Sequence, residues 1–290
     1  MAPLIVITGP TASGKSAMAL KLAEKWGGEI VCADSRTVYK GMDIGTAKPT
    51  VADRAKVPHH LLDVVNPNER FTVRDFQIKA QQAIVEIRGR GKIPFLVGGS
   101  GLYIDSVVLD YSLGTAGSLV ERQKLEAKSI DELQTMLKNQ QIPLPENQYN
   151  KRYLVRALER KNQVVSSMKR PEANTHVVAI TTNKSILQNN IWRRVEIMFA
   201  TGVIDEAVGL ADLYGWDCEA MTGNIYAVIK QLQAGEIDQS GAIELGARRD
   251  WRLVKRQLTW LKRHTYVTWL SLEQAEQYLD HICLKYRDSS

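Results

Sequence analysis

Cysteine is scarce: three residues in 290, never as a CxxC pair, so neither a disulfide framework nor a zinc ribbon is written here. Cys32, Cys218 and Cys283 stand far apart and are expected to be buried thiols. Long apolar runs are missing too. None approaches the ~20 residues that a membrane span requires, so no membrane role is expected. The N-terminus lacks a basic region followed by an apolar core and a small-residue cleavage site, which makes the cytoplasm the expected compartment. No internal repeat, low-complexity tail or apolar surface stripe appears, and a monomer is expected. What is present is ordinary for a globular protein, 44% hydrophobic and 24% charged, enough for one large or two modest domains. A net charge of +6 leans modestly toward a polyanionic partner.

The first part of the chain alternates β-rich and amphipathic runs: "LIVITG" then Lys15 to Trp26, "EIVCAD" then a polar loop, "FTVRDFQIKAQQAIVEIRGRG", then "IPFLVGG" and "SGLYIDSVVL". That rhythm predicts an α/β fold, a parallel sheet flanked by helices, with ligands at the carboxyl ends of the strands. From Tyr111 the pattern turns polar and helical ("GSLVERQKLEAKSIDELQTMLKNQQ", then "KRYLVRALERK") before "HVVAITT" returns to the sheet. Residues 1–110 therefore read as the first part of the core, 111–170 as a small helical insertion domain, and 171–290 as core completion with a helical C-terminal part. In that last part "TYVTWL" is a candidate edge strand. Ile191, Val195, Met198 and Phe199 recur at helical spacing and describe a buried face, not a cofactor box.

Gly9, Pro10, Thr11, Ala12, Ser13, Gly14, Lys15 and Ser16 fit G-x-x-x-x-G-K-[ST] between a predicted strand and a predicted helix, the phosphate-loop context and the mark of a P-loop NTPase-like core. The glycines permit a tight loop, successive N–H groups form an anion nest, Lys15 adds a mobile cation, and Ser16 is expected to face a Mg²⁺ ion. A chance glycine turn is the plain alternative. Such loops usually come with an aspartate at the end of a later strand that helps hold magnesium, yet "IPFLVGG" ends without one. A carboxylate stands instead at Asp34, after the second strand, placed to accept a proton or a hydrogen bond. The competing reading is that Asp34 caps the segment after it.

Together "GPTASGKS", "ADSRTVYKGMDIGTAKP", "PHHLLDV", "FTVRDF", "GKIPFLVGGSGLYI", "RALE" and "KRQLTW" resemble, nearly end to end, the successive motifs of bacterial tRNA dimethylallyltransferases. The resemblance implies transfer of a dimethylallyl group from dimethylallyl diphosphate to the exocyclic amine of the adenosine 3′ of the anticodon, releasing diphosphate. The phosphate loop would then hold a leaving group, with Lys15 and Mg²⁺ tightening on it as it departs. Asp34 would orient the weakly nucleophilic amine and take its proton. Ser100, where the family usually carries threonine, is implied to contact the adenosine or the diphosphate; a helix N-cap competes. Ser35, Arg36 and Thr37 match a loop implied, with Asp34, to touch tRNA. Asp43, Thr46 and Lys48 are also typical, though a turn with local hydrogen bonds explains Asp43 as well. His59 and His60 adjoin no spaced ligand set, so "PHHLLD" is read as shaping the site.

Between Arg248 and Arg263, Trp251, Val254, Leu258 and Leu261 form an inward face, and seven basic residues against one acidic residue make a stripe suited to phosphates. Lys255, Arg256 and Gln257, in "KRQLTW", are implied to meet tRNA there. A second basic cluster, Lys151, Arg152, Arg156 and Arg160 with Arg122, lies in the insertion, which the resemblance implies clamps the anticodon stem-loop. A solvated basic face is the alternative for both. The departures gather in these outer parts: the insertion is short, Tyr153 replaces an arginine, and Ile225-Tyr226-Ala227 replaces a Gly-Tyr-Lys/Arg signature, which puts RNA contacts near Tyr226 in doubt. Alternatives in play are prenylation of free adenine nucleotides, a small-molecule kinase on the same loop, and a non-catalytic RNA-binding module.

Overall fold

The computed structural model describes residues 1–113, 119–160, 168, 170–223 and 225–288. Gly117 and Ser118, at the start of the helical stretch quoted above, and Asn224 lie outside them.

The chain runs β1 (Leu4–Thr8), α1 (Lys15–Trp26), β2 (Glu29–Cys32), α2 (Val51–Lys56), β3 (His59–His60), α3 (Val73–Gly89), β4 (Pro94–Val97) and α4 (Gly101–Val108). Three helices follow, α5 (Leu119–Glu126), α6 (Ile130–Asn139) and α7 (Lys151–Arg160). Then come β5 (Thr175–Thr181), α8 (Lys184–Ala200), α9 (Val203–Tyr214), α10 (Tyr226–Gln233), α11 (Gln239–Leu261), β6 (Thr268–Ser271) and α12 (Leu272–Asp288). The chain divides into two compact units, one made of Met1–Leu109 with Arg170–Ser290, the other of Asp110–Lys169.

All six strands pair in parallel in the order β3-β2-β4-β1-β5-β6. Every residue of β1, β2 and β4 is buried, as a parallel sheet covered on both faces requires. Ile5, Ile7, Ile30 and Phe95 share a core with Met18, Ala19 and Leu22 of α1 and Ala275, Leu279 and Cys283 of α12. A second core gathers Val38 and Met42 against α8 to α11, where Ile191, Val195, Met198 and Phe199 are buried as their spacing predicted. The 60-residue unit has its own core of Leu133, Leu137, Ile142, Leu154, Val155 and Leu158. Local chemistry sets the helix ends. Thr72 with Asp75, and Ser129 with Glu132, close capping boxes at α3 and α6, and Gly27 ends α1 in the left-handed conformation.

Three departures from the expected pattern have local causes. The edge strand occupies Thr268–Ser271 and not the whole of "TYVTWL", because the Tyr266 hydroxyl donates to Asp105 Oδ1 at 3.1 Å and takes that end off the sheet. Beyond β2 the supposed loop holds a helix and a two-residue strand, too short for any period to reveal; His60 there meets Glu29, which Arg90 and Lys92 also pair. Cys32 and Cys283 are buried, but Cys218 is only half-buried, at the entrance of a 3₁₀ turn over Glu219–Thr222. Among the described residues no helix is long and apolar enough to cross a membrane.

The end of β4 lies hard against the end of β2. A Cβ on Gly98 would stand 2.0 Å from the Ala33 carbonyl oxygen, and Ser100 N–H donates to that same oxygen at 3.3 Å. Only glycine permits this approach. Gly98→Ala is expected to cost about 1–3 kcal/mol of stability by overpacking, read as a lower urea midpoint at unchanged slope.

Candidate active site

Three loops leave the carboxyl ends of the adjacent strands β1, β4 and β2, and they build the site. With strands ~4.8 Å apart, the phosphate loop after β1 and Asp34 after β2 are separated by roughly 10 Å, with Gly98–Ser100 between them. The cavity over these ends is about 280 Å³. Its lining includes Thr11 through Ala17, Asp34, Thr37, Thr46 and Arg194, with Ile30, Cys32, Val97 and Pro49 as an apolar flank.

The phosphate loop is held in a conformation that the chain would not adopt unaided. Ala12 has φ 61 and Gly14, the cap of α1, has φ 86. Three side chains from elsewhere hold it: Asn190 Nδ2 donates to Ala12 C=O at 3.1 Å, Arg194 donates to the Thr11 hydroxyl, and Gln257 Oε1 accepts Thr11 N–H at 2.9 Å. Lys15 Nζ donates to Pro10 C=O at 3.1 Å. Burial, and then the Arg194 guanidinium, push the Lys15 pKa down from 10.5 to about 8, against an opposing pull from Asp34. So the loop's cation, its supporting arginine and the carboxylate act on one another across one cavity.

Asp34 is half-buried, and its Oδ1 accepts Arg36 N–H at 2.8 Å, a cap of the following turn. Its other oxygen has no hydrogen-bond partner among the described residues. Capping and chemistry thus use different atoms of one carboxylate. Ser100 occupies the N-cap position of α4, but its side chain makes no capping bond to that helix; its hydroxyl accepts Ser35 N–H at 3.0 Å and ties the Asp34 loop to the β4 loop. Thr37 is buried, and its hydroxyl, like that of Ser13 in the phosphate loop, has no hydrogen-bond partner among the described residues. Ser16 lies on the cavity wall. These hydroxyls with the Asp34 carboxylate are hard oxygen donors of the type Mg²⁺ takes, and the unsatisfied ones point to a polar occupant. The residues present therefore fit the ion.

Other expected contacts are engaged inside the protein. The Arg36 guanidinium donates to Glu219 C=O at 3.0 Å and Ala220 C=O at 3.4 Å. Lys48 is buried between Asp43 and Asp63, each at 2.6 Å, and the Thr46 hydroxyl donates to Met42 C=O. His59 reaches the cavity wall with Nδ1 on Val57 C=O. Arg122 and Arg156 both turn onto Glu159, at 3.3 and 3.1 Å, whereas Arg152 and Tyr153 are exposed on α7. Lys255 and Arg256 are exposed on α11, and Gln257, beside them, faces the phosphate loop. Tyr226 is fully buried: its hydroxyl donates to Glu206 Oε1 at 2.7 Å, and Glu206 also accepts the N–H groups of Asp43, Ile44 and Gly45.

Arg194 is the site residue that sequence reading missed. It sits beside Val195 on a helix whose pattern announces core, and the paired Arg193-Arg194 flanking that apolar stripe was the available signal.

The fold and the cavity define a phosphate-loop α/β protein whose anion cradle faces a carboxylate, with no aspartate closing β4. The chain belongs to the IPP transferase family: that family model matches residues 37–264, and an isopentenyl transferase model matches residues 2–64. It is 37% identical over 288 residues to a tRNA dimethylallyltransferase of Pelotomaculum thermopropionicum, covering 93% of this chain and 91% of that one. A crystal structure of a tRNA isopentenylpyrophosphate transferase from Bacillus halodurans is similar at TM-score 0.74 and 33% identity, with 99% of each chain covered. A eukaryotic dimethylallyltransferase acting on tRNA shares the fold at TM-score 0.81 and 23% identity, covering 100% of this chain and 80% of that one.

Since the Lys15 pKa in the fold lies below 10.5, Lys15 sheds its proton as pH rises through about 8, while a bound anion favours the charged form. Affinity for inorganic diphosphate is expected to hold below pH 8 and to fall above it by up to tenfold per unit, relative to Lys15→Met, in calorimetric titrations.

Proposed function

We propose that the protein transfers a dimethylallyl group from dimethylallyl diphosphate to the exocyclic amine of the adenosine 3′-adjacent to a tRNA anticodon, releasing diphosphate. The observation that carries this reading is the pairing, in one cavity, of the phosphate loop with the half-free carboxylate of Asp34. Hydrolysis of a nucleoside triphosphate needs a γ-phosphate and a positioned water. An allylic diphosphate needs neither. Its carbon–oxygen bond breaks as negative charge builds on the departing group, so donors that bind diphosphate more tightly than its ester accelerate the step.

In this scheme the N–H groups of residues 12–16 and the Lys15 ammonium receive the diphosphate, and Arg194 adds a second positive charge. Ser16 would hold Mg²⁺, which when bound supplies further positive charge against the leaving group. Ile30, Cys32, Val97 and Pro49 suit the five-carbon tail, whose burial needs no polar partner. The adenine amine is a poor nucleophile because its lone pair is delocalised into the ring. Asp34 Oδ2 accepts its hydrogen bond, orients it, and takes the proton once the carbon–nitrogen bond has formed. The Ser100 and Ser35 contact keeps that carboxylate loop at its distance from the phosphate loop.

The acceptor is read as RNA because exposed Arg252, Lys255, Arg256, Lys262 and Arg263 line one helix and its end; the 60-residue unit, read as the stem-loop clamp, carries an exposed Arg152 of its own. A target base must leave its stack, at a cost of a few kcal/mol that phosphate contacts offset. Free nucleotide would use none of these charges.

Asp34→Asn is a clean test, since asparagine keeps the Oδ1 that accepts Arg36 N–H and loses only the charge and basicity. Turnover with an adenosine-containing anticodon stem-loop should fall about 10²–10⁴-fold while diphosphate affinity changes little. Full activity in this variant would remove Asp34 from its role. Nucleoside mass analysis of the RNA should find one added five-carbon unit on adenosine. With wild type, kcat/KM for the stem-loop should drop about tenfold or more between 50 and 200 mM salt. A flat salt response, with AMP serving equally well, would favour a free-nucleotide acceptor.

A further inference from the structure

Gln257 stands out because it belongs to the basic helix and yet bonds the donor loop. Both ends of its amide are used, Oε1 accepting Thr11 N–H at 2.9 Å and Nε2 donating to Gly99 C=O at 3.2 Å. The reverse orientation would set donor against donor and acceptor against acceptor, so the amide has one usable orientation. A Cβ on Gly99 would lie 2.4 Å from Nε2, which shows how closely the side chain is seated. One turn on, Trp260 repeats the attachment: Nε1 donates to buried Asp105 at 2.6 Å, and its ring leaves no room for a Cβ on Gly101. Helix α11 therefore grips the Gly98–Ser100 loop and the start of α4 with two side chains, and the phosphate loop with one of them.

Thr11 is where this grip meets another. Its N–H goes to Gln257 on α11 and its hydroxyl to Arg194 on α8, and these two helices pack on each other. On the outer side of the Gln257 turn, Lys255 and Arg256 are exposed, and among the described residues no carboxylate pairs with either. One helical turn thus carries cations directed at solvent and an amide directed at the donor loop.

We propose that Gln257 is a positioning residue that couples the acceptor surface to the donor pocket, so that RNA held on Lys255 and Arg256 tightens the phosphate loop around diphosphate, and diphosphate in turn tightens RNA. Both ligands favour the arrangement in which this turn, the Gly98–Ser100 loop and the phosphate loop are joined through Gln257, so whichever binds first favours the second. Reciprocity follows from linkage. The inference rests on the proposed RNA acceptor, and it concerns only how that acceptor and the donor communicate.

The test is calorimetric titration of inorganic diphosphate with Mg²⁺ into the full chain, with and without saturating anticodon stem-loop RNA. The wild-type protein is expected to bind diphosphate about fivefold or more tightly when the RNA is present. In Gln257→Leu, matched in size and unable to bond either loop, that ratio should collapse to near one while the RNA still binds. Gln257→Glu keeps an acceptor for Thr11 N–H but cannot donate to Gly99 C=O, and should give an intermediate ratio; if thermal melting shows the leucine variant unfolded, the glutamate variant decides. A wild-type ratio of one, or a ratio unchanged in the variants, would overturn the coupling even in an enzyme that prenylates RNA. Failure of the wild-type protein to bind the stem-loop at all would overturn the proposed function along with it.

Discussion

A nest of backbone N–H groups attracts an anion only while its peptide planes stay aligned, and nothing within an isolated glycine-rich loop keeps them so. Residues 9–16 include a left-handed alanine and two glycines at positive φ, a conformation that an unfolded chain visits rarely. Much of the neighbouring structure bears on this one demand. Strand β1 delivers the loop, α1 begins where it ends, and α8 and α11 reach over to hold Thr11 and Ala12. The rigid cradle in turn explains why the lysine inside it is so strongly perturbed: burial and a fixed guanidinium leave the ammonium without the solvent that would otherwise stabilise it.

Around that cradle the protein arranges two further loops with short, direct ties. Gly98 lets β4 press against Ala33, and the Ser100 hydroxyl accepts Ser35 N–H. Asp34 is thereby positioned by its neighbours on both sides, and one of its oxygens stays without a hydrogen-bond partner among the described residues. A comparable economy holds the outer wall: the Glu206 carboxylate fills a nest made by Asp43, Ile44 and Gly45 and also accepts the buried Tyr226 hydroxyl, fixing the loop that leads to Thr46. The atypical stretch around Tyr226 thus serves the interior, where its ring is inaccessible to a partner.

Local patterning made the central elements legible. The bounds of α1, the strand before it and the inward face of α8 follow from short-range rules: glycine and lysine spacing, a left-handed cap, and a helical stripe. Legibility failed where a feature depended on partners distant in sequence. β3 is two residues long and exists because β2 lies beside it. The dual use of Asp34, the turning of Arg122 and Arg156 onto Glu159, and the inward face of Gln257 all involve choices that a residue type leaves open, because arginine and glutamine bond equally well to protein, water or RNA.

From its residues alone this chain declares a parallel α/β core, an anion-binding turn and a carboxylate after the second strand, since each is written within a few neighbouring positions. Which cations face solvent, that Arg194 enters the cavity, and that Gln257 joins the basic helix to the phosphate loop were decided when strands and helices up to 246 positions apart in the chain were packed together. Hydrogen bonds and burial act over a few ångströms of space, whatever the distance along the backbone, and no period or motif encodes that proximity.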